Sequence, residues 1–401
     1  MNLTRGADFW RRWLFRLPAL TGAGLLAFST FQIAWNASIA ESWPKLTFHM
    51  KYPPGYVPDA GAAPTWRNLL YGVFQKDAAR RIGVQSMLYR SAIHWKQQAY
   101  WSLLGMSGTD NIIFGRGGEL LWHEYVADYC QFDPGGMQAT ALPWAERIRE
   151  LQDFFRARGQ MFLYLVTPSK VATHPEYLPA GFPCPGRAYD GQKMEIWRHA
   201  LRQAGVAFVD GPEIVRRALP QYPFDLFPRG GTHWNQLGAA LATRASIAAL
   251  NAQGARLPQL EFDFTISHDP QGVDRDLLTL LNLMYADASY PVPVLTYRSQ
   301  AEGPCHGPRI VEVAGSFIFQ INNALQHLAC PPDIRVYWYW KYRAIHIGDW
   351  EHRDAVPEER REDIMGWADI VLLEENEQML PGSEHARALM AMVKDDLQAS
   401  R

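Results

Sequence analysis

Arg309-Ile310-Val311-Glu312-Val313-Ala314-Gly315-Ser316-Phe317 reads as a strand running into a turn, and the residues after it, 317–328, look helical. A serine at a strand-to-helix junction sets the frame for the chain, because the same alternation recurs on both sides. Residues 161–166 form a continuous apolar run of strand length, 207–209 a short strand, 334–339 another and 370–373 a late one. Between and around them, 144–158 (entered through Leu142-Pro143), 194–203, 236–250 and 385–397 have helical periodicity. Earlier, 111–114 and 119–122 look like strands around the turn Gly115-Arg116-Gly117-Gly118, and 69–104 is helical with many charges. Strands alternating with helices predict an α/β fold, a mainly parallel sheet covered by helices on both faces. In such sheets functional groups collect beyond the carboxyl ends of strands, which is where Ser316 falls.

A hydroxyl is a poor nucleophile at neutral pH and needs an imidazole to take its proton. The candidate base is His233, in Gly230-Gly231-Thr232-His233-Trp234-Asn235, on a loop before the Ala-rich helical run. For an isolated Ser at a helix start the plain reading is an N-cap; for an isolated His it is packing or capping. Together they make a nucleophile–base pair for acyl chemistry.

With 39 basic and 41 acidic residues the net charge is near zero, so charge does not point to a nucleic-acid partner. The 15 tryptophans suit either sugar stacking or a large aromatic core. Arg5, Arg11, Arg12 and Arg16 precede an uncharged run, 17–40. As a helix of roughly 36 Å that run would cross a hydrocarbon core of about 30 Å. The expected layout is therefore a cytoplasmic N-terminus and membrane anchor over 1–41, a Pro/Gly-rich linker over 42–68 and a catalytic domain over 69–401. The charge asymmetry directs that domain to the periplasm, held to the inner membrane by its N-terminal helix. A cleavable signal ending at Ser38-Ile39-Ala40 is the alternative. In an exported protein the evenly numbered Cys130, Cys184, Cys305 and Cys330, which lack metal-type spacing, suggest disulfides. Three connectivities are open. Sequential pairing is the reading taken here, with buried free thiols as the alternative.

Several segments resemble, in order, the SGNH-hydrolase-like O-acetyltransferases of exopolysaccharide modification, the AlgJ/AlgX type. These are Gly115 to Trp122 with Tyr125; Leu165-Val166-Thr167-Pro168-Ser169-Lys170 with Pro175-Glu176-Tyr177-Leu178-Pro179; Thr232-His233-Trp234; Gly315-Ser316-Phe317; and Asp369-Ile370-Val371-Leu372-Leu373-Glu374. The resemblance spans about 70–395. It implies a Ser316 acyl-enzyme with His233 as base, a polysaccharide acceptor, and a membrane-bound O-acyltransferase that supplies acetyl. No cofactor and no metal are expected. The chain departs from the family at two carboxylates. Gly231 stands where an Asp usually precedes the His by two positions, and Ala314-Gly315-Ser316 replaces the usual Gly-Asp-Ser.

Those gaps keep open a catalytically impaired polysaccharide-binding or scaffold subunit, and a carbohydrate acetylesterase, identical in its first half-reaction and differing only in taking water as acceptor, is a third reading. Asp225 is the nearest upstream carboxylate that could orient His233, with a backbone carbonyl as the other possibility. Gly315, Asn322 and Arg343 are candidates for contacting the oxyanion or substrate. A structural ion pair for Arg343 and a surface amide for Asn322 are the plainer readings. Trp234, Trp338 and Trp340 are candidates for sugar stacking. In an extended strand Tyr337, Tyr339 and Lys341 would share one face, and Trp338, Trp340 and Tyr342 the other. Lys170 is expected to pack or pair near Glu176.

Overall fold

The computed structural model describes residues 4–39, 61–286, 288–298, 305, 307–344 and 352–399. Most of the linker expected at 42–68 lies outside them. The chain divides into two compact units, Met1–Thr109 with Leu278–Ala286, and Asp110–Leu277 with Asp287–Arg401.

The first unit is helical, with helices Thr4–Ile39, Trp66–Leu70, Val73–Gln85 and Met87–Ala99. The run expected to cross a membrane is helical, but among the described residues no helix is long and apolar enough to do so. Pro18, Gln32 and Asn36, with Thr21, Gly22, Gly24, Ser29, Thr30 and Ser38, dilute its hydropathy. Some of these polar groups are used within the unit. Gln32 is buried, donating to Gln85 O at 3.1 Å and accepting from Met87 N at 3.1 Å, and Ser29 Oγ meets Ser86 Oγ at 2.8 Å. The expected anchor is therefore corrected. With it go the inner-membrane attachment and the anchored periplasmic placement.

The second unit holds the strands. β1 (Ile112–Phe114) and β2 (Leu120–Trp122) form a hairpin. Then come β3 (Met161–Thr167), β4 (Phe208–Asp210), the hairpin β5 (Phe262–Ser267) and β6 (Val292–Tyr297), β7 (Arg309–Ala314), β8 (Asp333–Trp338), β9 (Tyr342–Ala344), β10 (His352–Asp354) and β11 (Ile370–Asn376). Seven of them make one sheet in the order β10-β9-β8-β7-β11-β3-β4. β8, β7, β11, β3 and β4 are parallel, and β9 and β10 add an antiparallel edge.

Successive side chains of these strands alternate between two cores, as a period of two requires. Leu163, Leu165, Ile310, Ala314, Ile370 and Leu372 pack on one face with helices Gly211–Ala218, Gln236–Asn251 and Ile318–Gln326. Phe162, Tyr164, Val166, Val311, Val313 and Leu373 pack on the other with helices Pro134–Ala157, Gln192–Ala204 and Glu384–Ala399. The α/β class stands without the membrane helix before it. Helix Pro134–Ala157 starts well before the expected 144 because the Asp133 side chain accepts from the Gly135 and Gly136 amides, with Pro134 at the first helical position. Disulfides join Cys130 to Cys184 and Cys305 to Cys330.

Candidate functional site

Ser316 follows the end of β7 by two residues, in the turn before helix Ile318–Gln326. His233 reaches it from the loop before helix Gln236–Asn251, and the residues after the histidine explain how that loop is set. The Trp234 indole is fully buried, 5.9 Å from the Phe317 ring. Asn235 caps the helix, accepting from Leu237 N at 3.1 Å and Gly238 N at 3.0 Å, and its amide donates to Asp225 O at 2.9 Å. With Trp234 driven into the core and Asn235 tied at both ends, His233 is left facing Phe317, ring to ring at 4.6 Å. Its Nε2 lies 2.8 Å from Ser316 Oγ.

The opposite imidazole nitrogen, Nδ1, bonds the carboxylate of Asp276 through Oδ2. The other carboxylate oxygen accepts from Thr232 N at 2.9 Å and from Leu277 N at 2.6 Å. Asp276, which sequence reasoning missed, thus stands where an orienting carboxylate belongs, 43 residues after the histidine. In sequence it is one acid among several at the start of a short helix, Asp276–Leu280, and looks like a helix cap. Gly231, the position that lacks the expected Asp, is closed to any side chain. A Cβ there would lie 2.6 Å from Val273 O and 2.9 Å from Pro228 Cγ.

Asp225, the candidate orienter, is occupied elsewhere. It accepts from Tyr177 Oη at 2.5 Å and from Phe227 N at 2.9 Å, and lies 3.0 Å from His174 Nε2. Lys170 does not pair with Glu176, whose carboxylate meets His174 at 2.9 Å. Its buried ammonium donates to Leu120 O (3.0 Å), Pro228 O (2.8 Å), Arg229 O (3.2 Å) and Gly231 O (2.9 Å), and lies 3.0 Å from Glu119. It grips the loop leading to His233 from beneath.

The second missing carboxylate also has a counterpart. Gly315 N donates to the buried Glu374 at 2.7 Å, and Thr167 Oγ1 bonds the other oxygen of the same carboxyl. The Gly315 amide is therefore engaged and does not face the site. Burial raises the Glu374 carboxyl above its ordinary range, against the opposing bond from Thr167.

The aromatic run departs from strand geometry. β8 stops at Trp338, and Tyr339 (φ 48°) and Trp340 (φ 65°) are both left-handed, which bulky residues adopt only at a cost. Lys341 N bonds back to Trp338 O at 3.0 Å and closes a tight turn. The expected alternation fails there. Trp338 packs toward one core, 5.5 Å from Phe319, and Trp340 toward the other, beneath the Arg360 guanidinium at 4.2 Å. Tyr339 N is held by Ala314 O at 2.9 Å, and its hydroxyl arrives 3.3 Å from Ser316 Oγ. A Cβ on Gly315 would lie 3.3 Å from the Tyr339 ring, so the bare glycine lets that ring lie across the turn.

The remaining candidates lie off the site. Asn322 is buried and donates to Glu312 at 2.7 Å. Arg343 is buried in an ion-pair group, 2.8 Å from Asp363 and 3.1 Å from Glu359. Chemically, the arrangement of Asp276, His233 and Ser316 can move a proton from hydroxyl to imidazole, with the carboxylate stabilising the charged ring.

Residues 131–303 match the family described as the SGNH hydrolase-like domain of acetyltransferase AlgX. That span includes His233 and Asp276 and ends before Ser316. Comparison with curated proteins finds no match. Among solved structures the chain is similar to the O-acetyltransferase domain of Pseudomonas putida AlgJ, with 17% identity, a TM-score of 0.46, and coverage of 71% of this chain and 99% of that one. It is similar also to Pseudomonas aeruginosa AlgX, with 14% identity, a TM-score of 0.42, and coverage of 71% and 67%. For Bacillus cereus PatB1 the values are 13%, 0.42, 69% and 99%. Over residues 131–303 the chain is thus similar to the SGNH-hydrolase-like family.

Proposed function

We propose that this SGNH-hydrolase-like protein is an O-acetyltransferase that carries acetyl on Ser316 and delivers it to a hydroxyl of a polysaccharide. The observation behind the proposal is the unbroken chain of hydrogen bonds from Asp276 through His233 to Ser316 Oγ. As Oγ attacks the donor's acetyl carbonyl, its proton passes to His233 Nε2, and the imidazolium is stabilised by Asp276. The tetrahedral oxyanion collapses, the carbonyl–leaving-group bond breaks, and Nε2 returns the proton to the departing oxygen. The acetyl ester on Oγ is then attacked by the acceptor hydroxyl by the same steps in reverse, which frees Ser316.

We assign Tyr339 Oη, 3.3 Å from Ser316 Oγ, as a donor to the oxyanion. The scaffold reading drew on the lack of a carboxylate for His233, and Asp276 supports the catalytic reading against it. Water or a sugar hydroxyl can each discharge the same ester. The test is an incubation with a chromogenic acetyl ester, with and without an oligosaccharide acceptor. Acetylated oligosaccharide formed by the wild type and absent with Ser316→Ala is the expected result. Release of acetate unaffected by the acceptor would make the protein an esterase, and no turnover of the ester would end the reading.

A further inference from the structure

We propose that Tyr290 is a positioning residue of this site: its hydroxyl ties the segment carrying Asp276 to the loop carrying His233 and so keeps the carboxylate on the imidazole. The inference rests on the acyl-transfer reading for its kinetic consequences, though not for its structural ones. When an orienting acid sits two positions before its histidine, the chain itself fixes their separation. Here the acid arrives from a separate segment, and something must hold the two segments in register.

Tyr290 meets both. Its hydroxyl donates to Asp274 O, two residues before Asp276, at 2.7 Å, and the same oxygen faces the amide of Gly230, three residues before His233. A phenol hydroxyl can donate and accept at once, so a single buried group can serve the Asp274 carbonyl and the Gly230 amide together. The tyrosine is almost wholly buried, and the Arg229 guanidinium lies 5.5 Å from its ring. Lys170 already fixes the underside of the His233 loop through Pro228 O and Gly231 O. The Tyr290 bridge joins that fixed loop to the segment bearing the acid, next to the close contact of Val273 O with Gly231.

Tyr290→Phe keeps the ring and removes the bridge. With a chromogenic acetyl ester, kcat is expected to fall about tenfold or more with KM little changed, short of the ~10⁴ lost when an orienting carboxylate is made neutral. In an Asp276→Asn background the same change should cost almost nothing further, because its effect passes through the carboxylate. The deshielded proton signal of the His233–Asp276 hydrogen bond should weaken or move in Tyr290→Phe, a readout that does not depend on turnover. An equal loss in both backgrounds, or an unaltered proton signal, overturns the proposal. Wild-type protein gives a further check that needs no variant: the Gly230 amide should be protected from hydrogen exchange, and rapid exchange there contradicts the bridge. Absence of ester turnover in the wild type with an intact proton signal would instead defeat the acyl-transfer reading and leave the bridge standing.

Discussion

Gly231 and Asp276 are complementary. The segment that closes position 231 to a side chain, through Val273 O at 2.6 Å from a hypothetical Cβ, delivers Asp276 to His233 three residues later. A carboxylate at 231 and a carboxylate at 276 are alternative ways to serve one imidazole, and packing here admits the second.

Asp276→Asn is therefore expected to lower kcat by about 10⁴ while leaving the thermal midpoint close to wild type. Gly231→Asp in that background should restore no activity and should unfold at lower temperature, since backbone must move to admit its Cβ. Steady-state kinetics and thermal unfolding of the two variants check both statements. Recovery of activity by Gly231→Asp would show that the loop can reorganise.

Tyr339 holds a left-handed backbone and is anchored to β7 through Ala314 O, which aims its hydroxyl at Ser316. Removing one oxyanion donor costs about 10²–10³ in kcat. Tyr339→Phe should lose that much at nearly constant KM, and Tyr339→Gly, which relieves the backbone but removes the ring, should lose at least as much. Kinetics on a chromogenic acetyl ester decide it.

Lys170 is a buried ammonium shared among four carbonyls and Glu119. Lys170→Met leaves these acceptors and the Glu119 carboxylate without their cation, which for a buried pair costs roughly 3–5 kcal/mol. Denaturant unfolding should show that loss. If stability is unchanged, the ammonium is not what secures the His233 loop.

Burial pushes the Glu312 carboxyl up to about 8, against the Asn322 amide that bonds it and with Glu374 adding to the rise. Near pH 4.5 the unfolded chain releases this proton while the folded chain keeps it, so stability falls as pH rises and levels off above about pH 8. Glu312→Gln keeps a partner for Asn322 and cannot ionise. Its thermal midpoint should match wild type near pH 5 and exceed it near pH 9, and parallel curves across that range would contradict the assignment.

The legible parts of the chain were those where pattern and position agree. Strands β3, β7 and β11 announce themselves as apolar runs because both their faces are buried. His233 and Ser316 could be paired because each sits where a strand or loop gives way to a helix. Asp276 could not, because its bond to His233 spans 43 residues and its own neighbourhood resembles a helix cap. The turn at Tyr339 and Trp340 was hidden for a different reason. Aromatic residues prefer strands, and here Tyr339 is tied in its left-handed conformation to Ala314 O of β7, a contact that no local propensity carries. The first helix has the length and lack of charge of a membrane span, but the polar residues that it uses in packing leave it too little apolar to be one.

Ser316 is expected to become acetylated by way of His233. Acid-quenched protein, taken soon after mixing with a chromogenic acetyl ester and digested for mass spectrometry, tests it most directly. One acetyl group is expected on the peptide containing Ser316 in the wild type, and none on that peptide in His233→Ala. Acetyl absent from that peptide while the ester is consumed, or present to the same extent without His233, would contradict it.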